Sequence, residues 1–492
     1  MCGIAGHAGQ RPVAPLDDSV LGALRHRGPD GQRIERCPAG HVTADLAFTR
    51  LAIVDLSEAG QQPMTSEDGR FTMVFNGEIY NSPALRGECE RTGHRFRSSM
   101  DGEVILHLWE EEGPAALGRL NGIFAVAVLD SITGEMFLGR DPIGVKPLVF
   151  AESDGQLWFA SELGALLAMG APTGGTDLVA MAQFLSFLWI PDPRTPYAGV
   201  RSVEPGTVIR WTPGGSQASR YCQPLHPVES PQQIEPEHAV EELRSRFTAA
   251  VDRQLLSDVP IALMASGGVD SSLIWWAAGK NVERAYTIEW ADATGDERLS
   301  EDAATVRALG DLLDTPVSYV AGEAASADLP RAGDLFADPA HDLARAISRR
   351  ASDDGFKVLL SGQGGDELFA GYARHRITPF LGHIHIGDLG RAVERFMARH
   401  GTGLRAEYLT RLARAASEPE PFASYMQLCT YSAAADRARV LGCTEAEVGD
   451  EVVWQQHRAA FDALPSGASF LRKVMALDLR SEERRVGKEC LE

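Results

Sequence analysis

The strongest constraint on the fold is a change of apolar pattern at a proline-rich segment near the middle of the chain. Up to about residue 210, apolar residues occur in short runs bounded by Gly, Asn, Asp and Pro. The clearest of these runs span residues 46–54, 71–75, 123–129, 136–139 and 157–160. Short runs between turn residues are typical of strands joined by hairpins, so we expect a sheet-rich, largely antiparallel domain over residues 1–210.

The segment 211–238 carries five prolines and no sustained periodicity, which predicts a linker. Beyond it, helical patterns and short apolar runs alternate over residues 238–256, 260–265, 272–279, 285–290, 301–313, 317–320 and 357–360. This alternation predicts βαβ units and a parallel sheet in residues 239–480, with ligands at the carboxyl ends of the strands. Residues 389–480 are rich in Ala, Arg, Leu and Glu and predict a helical extension of this second domain.

Charge and cysteine content narrow the function classes. The chain carries 47 Lys and Arg against 68 Asp and Glu, a formal net charge of −21. Such a surface disfavours nucleic acid and anionic membranes as partners. Seven scattered cysteines without a CxxC pair, and the lack of an apolar stretch of 18 residues, predict a cytoplasmic protein with free thiols.

The last twelve residues, 481–492, differ from the rest of the chain. Residues 481–490 hold six charged side chains in ten and show no apolar face. The string RSEERRVGKEC resembles the translation of a sequencing adapter, and the final Leu-Glu resembles a cloning scar. We therefore interpret residues 481–492 as an artefact and expect the natural protein to continue beyond Arg480.

Cys2 is the first candidate for catalysis, because removal of Met1 would place its thiol beside a free α-amine. An α-amine has an unperturbed pKa near 8 and can accept a thiol proton directly or through water. Five downstream motifs accompany this cysteine: RHRGPD at 25–30, FTRLAIVD at 48–55, NGEIYN at 76–81, SMDGE at 99–103 and GRDPIGVKP at 139–147. Together with the N-terminal MCGI, they closely resemble the glutaminase domain of the asparagine synthetase B family.

The resemblance spans about residues 1–200 and implies an N-terminal-nucleophile fold, an αββα sandwich of antiparallel sheets. It implies that Cys2 is the nucleophile and that Asn76 and Gly77 form the oxyanion hole. The implied glutamine-binding residues are Arg50, Ile53, Val54, Asn76, Gly77, Glu78 and Asp101. Arg50 would hold the α-carboxylate of glutamine, and Glu78 and Asp101 its α-ammonium. Taken alone, Asn76-Gly77 is also typical of a type I′ hairpin turn.

A second motif lies in the predicted α/β domain. The apolar run 260–265 leads into SGGVDSS at 266–272, where glycines, hydroxyls and a helix start favour binding of anionic oxygen. No lysine follows in the position that a Walker A loop requires. The motif instead resembles the PP-loop of ATP pyrophosphatases, and SGQGGDE at 361–367 resembles a second motif of the same family.

This second resemblance implies ATP and Mg²⁺ as cosubstrate and cofactor, and adenylation of a carboxylate with release of pyrophosphate. The implied ATP-binding residues are Ala265, Ser266, Gly267, Gly268, Asp270, Ser271, Ser272, Ile288, Ser361, Gly362 and Asp366. Asp270 and Asp366 would hold the metal.

Three departures from the family bear on the acceptor acid. Gln363 stands where an acidic residue is usual, and the segment 333–340 lacks the usual Asp-Glu-Pro before Phe336. The family stretch that begins at 477–480 does not continue to its catalytic-site lysine. Aspartate and other carboxylic acids therefore both remain candidates for the acceptor.

The predicted function is a glutamine-dependent amidotransferase, a ligase of the glutamine-hydrolysing asparagine synthase type. It would hydrolyse L-glutamine at Cys2 and use the ammonia to amidate a carboxylate activated as acyl-AMP. Two alternatives stay open: an AMP-forming synthetase that uses another amine and keeps a vestigial glutaminase, and a fragment with glutaminase activity only. A homodimer is expected at the level of the family.

Overall fold

The computed structural model describes residues 1–10, 14–222, 234–289, 300–322, 335–337, 339–381 and 403–479, together with 387, 392–393 and 396–397. The strands of the N-terminal part are β1 Gly3–Gly9, β2 Gly31–Ala39, β3 Val42–Arg50, β4 Met64–Thr65, β5 Phe71–Ile79, β6 Gly122–Asp130, β7 Met136–Arg140, β8 Val149–Ser153, β9 Gln156–Ala160, β10 Val200–Ser202, β11 Thr207–Thr212 and β12 Gly215–Arg220. Its helices are α1 Asp18–Leu24, α2 Ser82–Thr92, α3 Glu103–Glu112, α4 Leu163–Ala168 and α5 Leu178–Phe187.

The N-terminal strands form two antiparallel sheets, with the orders β10-β8-β9-β1-β3-β2 and β12-β11-β7-β6-β5-β4. Side chains from both sheets, including Ile4, Leu46, Val74 and Leu138, meet in one buried core. Helices cover the two outer faces: α1 and α4 pack on the first sheet, and α2 and α3 pack on the second. This arrangement confirms the predicted αββα sandwich.

The predicted linker over residues 211–238 is wrong in its first part. Residues 207–212 and 215–220 pair as an antiparallel hairpin at the edge of the second sheet, so this domain continues past residue 210. Five of the six residues of β12 are exposed, because an edge strand has few neighbours to pack against, and its sequence therefore lacks an apolar alternation. Residues 223–233 lie outside the described ranges.

The C-terminal part contains β13 Ile261–Met264, β14 Val282–Glu289, β15 Val317–Ala321 and β16 Val358–Leu360. Its helices are α6 Pro236–Arg253, α7 Val269–Ala278, α8 Glu301–Leu313, α9 Pro339–Asp353, α10 Gly365–Phe369, α11 Ala373–Arg376, α12 Gly403–Ala415, α13 Pro421–Cys429, α14 Ala434–Leu441, α15 Glu445–Val448, α16 Asp450–Asp462 and α17 Phe470–Asp478. The four strands are all parallel, in the order β15-β14-β13-β16, which confirms the predicted alternation. None of the described helices is long and apolar enough to cross a membrane.

Helix α5 joins the two parts of the molecule. Its Ala182 and Phe187 share a buried core with the helical extension α12–α17. The Gln183 side chain donates to the Val453 carbonyl at 3.1 Å, and the Tyr431 N–H donates to the Ser186 carbonyl at 2.8 Å. The described parts of the two domains are therefore packed together through buried contacts.

Candidate active site

Cys2 directly precedes β1 and packs against the core between the two sheets. Its Sγ accepts a hydrogen bond from the Leu51 N–H at 3.4 Å and lies 3.7 Å from the Leu51 carbonyl oxygen. The buried Arg27 donates from Nε to the Cys2 carbonyl at 3.2 Å and from Nη1 to Glu162 at 2.8 Å. The thiol is therefore held at the start of a core strand by backbone contacts and by a buried ion pair.

The electrostatic surroundings favour a neutral thiol in the resting chain. Burial raises the pKa of Cys2, while the chain's amino terminus, the Leu51 hydrogen bond and Lys146 act in the opposite direction. A neutral thiol needs a base to become a nucleophile, and an α-amine on Cys2 itself would supply one once Met1 is removed.

Asn76 lies within β5, opposite Ala125 of β6, so the alternative of a hairpin turn at Asn76-Gly77 is wrong. By strand alternation it shares a face of β5 with Val74, which lies in the core between the sheets, where Cys2 also packs. Asn76 is fully buried, yet neither Oδ1 nor Nδ2 has a hydrogen-bond partner. Buried amides are nearly always satisfied, so this side chain is a strong candidate for a contact with a ligand.

Gly77 turns its N–H away from β6. It pairs with Phe124, whose own N–H and C=O are bonded to Asp141 at 3.2 and 2.8 Å on the other side of β6. Gly77 and Phe124 are therefore a non-hydrogen-bonded pair of the antiparallel β5–β6 ladder, and for this reason the Gly77 N–H points away from β6. A Cβ on Gly77 would lie 2.2 Å from the Ile123 carbonyl oxygen, so no larger residue fits here.

The opposite edge of β5 shows where the Gly77 N–H points. On this edge the Phe75 N–H donates to the Gln62 side chain at 2.6 Å, and the Ile79 N–H donates to Asp101 at 2.5 Å. Successive residues of a strand point their N–H groups to alternate edges, so the Gly77 N–H lies between these two donors. The strand thus presents a backbone donor next to the buried Asn76 amide.

The Arg50 guanidinium is held by the loop that follows β3. Nη1 donates to the Ser57 carbonyl at 2.7 Å, and Nη2 donates to the Asp55 carbonyl. Gly60 lies against the guanidinium, where a Cβ would come within 2.3 Å of Nη2. A guanidinium has five N–H donors, so these two hydrogen bonds leave other donors of Arg50 that can bind a carboxylate.

Glu78 and Asp101 form an acidic pair, in which Asp101 is buried and Glu78 is half-buried. Burial raises the pKa of Asp101 to about 6, although the N–H groups of Ile79 and Gly102 act in the opposite direction. Burial and the nearby Asp101 raise the pKa of Glu78 well above its usual range, and its Oε2 is buried without a partner. Two desolvated carboxyl groups side by side would be stabilised by a bound cation such as an ammonium group.

Ile53 and Val54 lie on the half-buried loop between β3 and Asp55. The Ile53 carbonyl accepts the N–H of Asp258 in the C-terminal domain at 2.9 Å. Asp55 has a positive φ of 57°, and its carboxylate accepts the N–H groups of Ser57 and Ser99 at 2.9 and 2.8 Å. Asp55 therefore joins the loop that holds Arg50 to the loop that leads to Asp101.

Sequence reasoning assigned no role to Asp55 or to Lys146. Lys146 is buried, lowers the pKa of Cys2 and acts on Glu78 as a nearby positive charge. Its backbone is fixed by Arg140, which donates to the Lys146 carbonyl at 2.8 Å, and by Asp141, which accepts the Lys146 N–H at 2.9 Å. The sequence signal that could have indicated a role for Lys146 is its position in the GRDPIGVKP motif. There it follows Arg140 and Asp141, the two residues that organise the loop.

The second predicted site lies at the carboxyl ends of β13 and β16. After β13 the chain turns at Gly267, with φ of 75°, into α7. Ser271 Oγ accepts the Ser266 N–H at 3.2 Å, and Ser272 Oγ donates to the Gly268 carbonyl at 2.7 Å. These bonds fold residues 266–272 into a compact loop whose helix start faces outward, an arrangement suited to phosphate.

The loop after β16 packs directly on the first loop. A Cβ on Gly362 would lie 2.8 Å from the Ser271 N, and a Cβ on Gly365 would lie 2.5 Å from the Asp270 Cγ. Ser361 and Gly362 are half-buried, and the neutral Gln363 is exposed. The two predicted ATP motifs, about 90 residues apart in sequence, are thus adjacent in the fold.

The predicted metal ligands lie in an acidic environment. Burial, Asp366 and the buried Glu367 raise the pKa of Asp270. Glu367 Oε2 is buried without a hydrogen-bond partner. Carboxylates are the ligands that Mg²⁺ prefers, so this group of side chains fits the ion that the resemblance implies.

Ala265 and Ile288 are the predicted nucleotide-binding residues that lie outside these two loops, directly after β13 and within β14. The Ala265 N–H donates to the Tyr286 carbonyl at 2.8 Å, and Ile288 lies two residues further along β14.

Residues 333, 334 and 338 of the altered segment 333–340, and the tail 481–492, lie outside the described residues.

Family models match both parts of the chain. A glutamine amidotransferase domain model matches residues 1–222, and an asparagine synthase model matches residues 242–482. The chain is similar to the asparagine synthetase family over both of these parts. The two matched domains lie in the order that the two resemblances predict.

Relatives within the asparagine synthetase family are about one-third identical to the chain. Asparagine synthetase [glutamine-hydrolyzing] 1 of Bacillus subtilis is 32% identical over 76% of this chain and 60% of its own length. Asparagine synthetase [glutamine-hydrolyzing] 3 of Arabidopsis thaliana is 31% identical over 74% of this chain and 58% of its own length. The chain thus spans about three-fifths of the length of these relatives.

Among solved structures, the glutamine phosphoribosylpyrophosphate amidotransferase of Bacillus subtilis is 18% identical to this chain. The match covers 74% of this chain and 72% of that one, with a TM-score of 0.36.

Proposed function

We propose that the N-terminal domain hydrolyses L-glutamine, with Cys2 as the nucleophile. The observation that carries this proposal is the fully buried Asn76 amide, which has no partner and lies beside the outward-turned N–H of Gly77. A side-chain donor on the core face where the thiol packs, next to a backbone donor at the adjoining edge of β5, is what an oxyanion hole requires.

The proposed reaction begins when the Cys2 thiol adds to the side-chain amide carbon of glutamine. The thiol proton passes to the α-amine of Cys2, and the Asn76 Nδ2–H and Gly77 N–H donate to the developing oxyanion. The α-ammonium then gives this proton to the amide nitrogen, so that collapse of the tetrahedral intermediate expels ammonia and leaves a thioester, which water hydrolyses to glutamate. Arg50 binds the α-carboxylate of glutamine, and Glu78 and Asp101 bind the α-ammonium, with Ile53 and Val54 beside it.

The test is glutamate release by the full chain and by two cysteine variants. Cys2→Ala should lower the rate by on the order of 10⁴-fold or more, because the nucleophile is lost. Cys222→Ala removes a half-buried thiol beyond β12 and should leave the rate unchanged. Equal rates in Cys2→Ala and the parent would overturn the proposal.

For the C-terminal domain we propose binding of Mg-ATP and adenylation of a carboxylic acid. Asp270 and Asp366 would hold Mg²⁺, which when bound neutralises phosphate charge. The residues of 265–268, 270–272 and 361–362, together with Ile288, would bind the nucleotide. Ammonia from the first site would then attack the acyl-adenylate. Contacts between the two domains, such as the hydrogen bond from Asp258 to Ile53, support passage of this ammonia across the domain interface.

The acceptor is either aspartate or a related acid, and a substrate panel distinguishes them. Pyrophosphate release with aspartate alone would support asparagine synthesis, and release with another acid would support a specialised amidotransferase. No release with any acid would leave only the glutaminase. The ordered arrangement of Cys2, Arg50, Asn76 and Asp101 argues against a vestigial glutaminase. A cytoplasmic location and a homodimer are part of the same proposal.

A further inference from the structure

Four metal-ligating side chains meet on the glutaminase domain outside the sites described above. Glu67 follows β4, His94 follows the end of α2, and His107 and Glu110 lie one turn apart on α3. Each offers one ligand atom, and these four atoms all lie within 4.8 Å of one another. The His107 side chain is only 3% exposed and that of Glu110 13%, so half of the cluster is buried.

The separations of the two histidine nitrogens from each other and from the two carboxylate oxygens fit one tetrahedral ion. His94 Nδ1 lies 3.0 Å from Glu67 Oε2, 3.3 Å from His107 Nδ1 and 3.6 Å from Glu110 Oε2. His107 Nδ1 lies 3.6 Å from both carboxylate oxygens. A tetrahedron with bonds of about 2.0–2.1 Å, the usual zinc–nitrogen distance, has edges of about 3.3–3.4 Å.

Hydrogen bonding within the cluster pairs His94 Nδ1 with Glu67 Oε2 but leaves Glu110 without a partner at Oε2. This Glu110 oxygen is buried, and the two histidines turn the same type of nitrogen, Nδ1, toward each other. A lone pair on each nitrogen, directed at one central cation, would satisfy both rings and both carboxylates.

Each histidine also has a second carboxylate near its other ring nitrogen. Glu111 lies at hydrogen-bond distance, 3.0 Å, from His94 Nε2, whereas Glu103 lies 3.7 Å from His107 Nε2, which has no hydrogen-bond partner. Histidines that bind metals commonly donate their other N–H to such a carboxylate, which fixes the tautomer and raises the basicity of the ligand nitrogen.

We propose that Glu67, His94, His107 and Glu110 bind one divalent transition-metal ion, with zinc as the best fit. Two imidazoles and two carboxylates suit Zn²⁺, whereas Mg²⁺ and Ca²⁺ prefer six or more oxygen ligands. The ion would join the loop after β4, the α2–α3 connection and α3. Since that connection leads to Asp101, the ion would stabilise the backbone that carries one wall of the glutamine site.

The test is a titration of metal-free full chain with Zn²⁺ in a Cys2→Ala background, so that the nucleophile cannot bind the metal. We expect one equivalent bound, a higher melting temperature with Zn²⁺, and intense visible absorption with Co²⁺, which is typical of tetrahedral coordination. Glu110→Gln should weaken binding by at least about 10- to 100-fold, since even supporting residues of metal sites have effects of this size.

Glu112→Gln is the matched control, because Glu112 ends the same helix but pairs with Arg119 instead of the cluster. It should bind zinc like the parent. If His107→Gln fails to fold, the near-isosteric Glu110→Gln still decides the matter. Absence of zinc binding by the parent, or equal binding by Glu110→Gln, would show a cluster held by hydrogen bonds alone and overturn the proposal.

Discussion

The two candidate sites of this chain are built in different ways. The proposed glutaminase site lies on strands and loops fixed in a core: Asn76 is fully buried, and Arg50 and Asp101 are nearly so. The proposed synthetase site lies on two loops at the carboxyl ends of β13 and β16, where Ser266 and Gly268 are exposed and Val269 is 73% exposed. The first site therefore has its donors in position before a ligand binds, whereas the second leaves more of its organisation to the nucleotide and metal.

The largest effect among the predictions below should come from Asn76→Ala, which removes a fixed donor. We expect kcat for glutamine hydrolysis to fall about 10²–10³-fold with little change in KM, because the lost bond forms mainly in the transition state. Asn121→Ala, at an exposed position before β6, is the control. A change in KM without a change in kcat would place Asn76 in substrate binding only.

Asp101→Asn tests the acidic pair. We expect KM for glutamine to rise about 10- to 100-fold, since a charged hydrogen bond contributes about 1.5–3 kcal/mol. The pKa of Asp101 is raised to about 6, so kcat/KM of the parent should fall as the pH is lowered through 6 and the carboxylate becomes protonated. This decline should change in the pH profile of Asp101→Asn, because Glu78 is then the one carboxyl of the pair that titrates and no longer has Asp101 beside it.

The exposed Asp154, in the turn between β8 and β9, provides the matched control for that experiment. Asp154→Asn should keep both the KM and the pH profile of the parent. An unchanged profile in Asp101→Asn would mean that another group titrates, and would remove Asp101 from the ammonium site.

Gly77→Ala and Gly365→Ala compare the rigidity of the two sites. The new Cβ at 77 would meet a strand carbonyl at 2.2 Å, whereas at 365 it would meet the side chain of Asp270, which can rotate. Gly77→Ala should lower the free energy of unfolding by about 1–3 kcal/mol, as overpacking typically does, and Gly365→Ala by less than about 1 kcal/mol. Denaturant unfolding of each variant gives these values.

Gly87→Ala, where a Cβ would meet nothing within 4 Å, is the control for both substitutions. Gly365→Ala should nevertheless weaken ATP binding, because it displaces a predicted metal ligand. Equal losses of stability at positions 77 and 365 would contradict the difference in rigidity between the sites.

The smallest effect should come from the ion pair between the domains. Lys357 donates to Asp30 at 2.7 Å, and the two side chains are 33% and 28% exposed. Exposed pairs contribute about 0–1 kcal/mol, so Lys357→Met should lower the free energy of unfolding by no more than that. Glutamate release should not change; a large loss would show that this contact couples the domains to the glutaminase site.

The predictable parts of the molecule were those with local signals. The PP-loop is one contiguous strand–loop–helix motif, and α8 occupies the predicted residues 301–313. Asn76-Gly77 has the local signal of a turn, but its pairing with β6 places it in a strand. Its proposed role in the oxyanion hole could be predicted only from the motifs around it.

What the sequence did not predict depends on contacts between distant segments. The hairpin β11–β12 is stabilised by pairing with β7, which no local pattern reveals. The cluster of Glu67, His94, His107 and Glu110 draws on three separate segments, and only His107 and Glu110, three residues apart on α3, gave a local hint.

The most direct test of the contrast between the sites is glutamate release measured with and without Mg-ATP and an acceptor acid. The fixed geometry of Arg50, Asn76 and Asp101 predicts the same rate of glutamine hydrolysis under both conditions. Hydrolysis that occurs only when nucleotide is bound would contradict the account, because it would mean that the glutaminase site is assembled by the second domain.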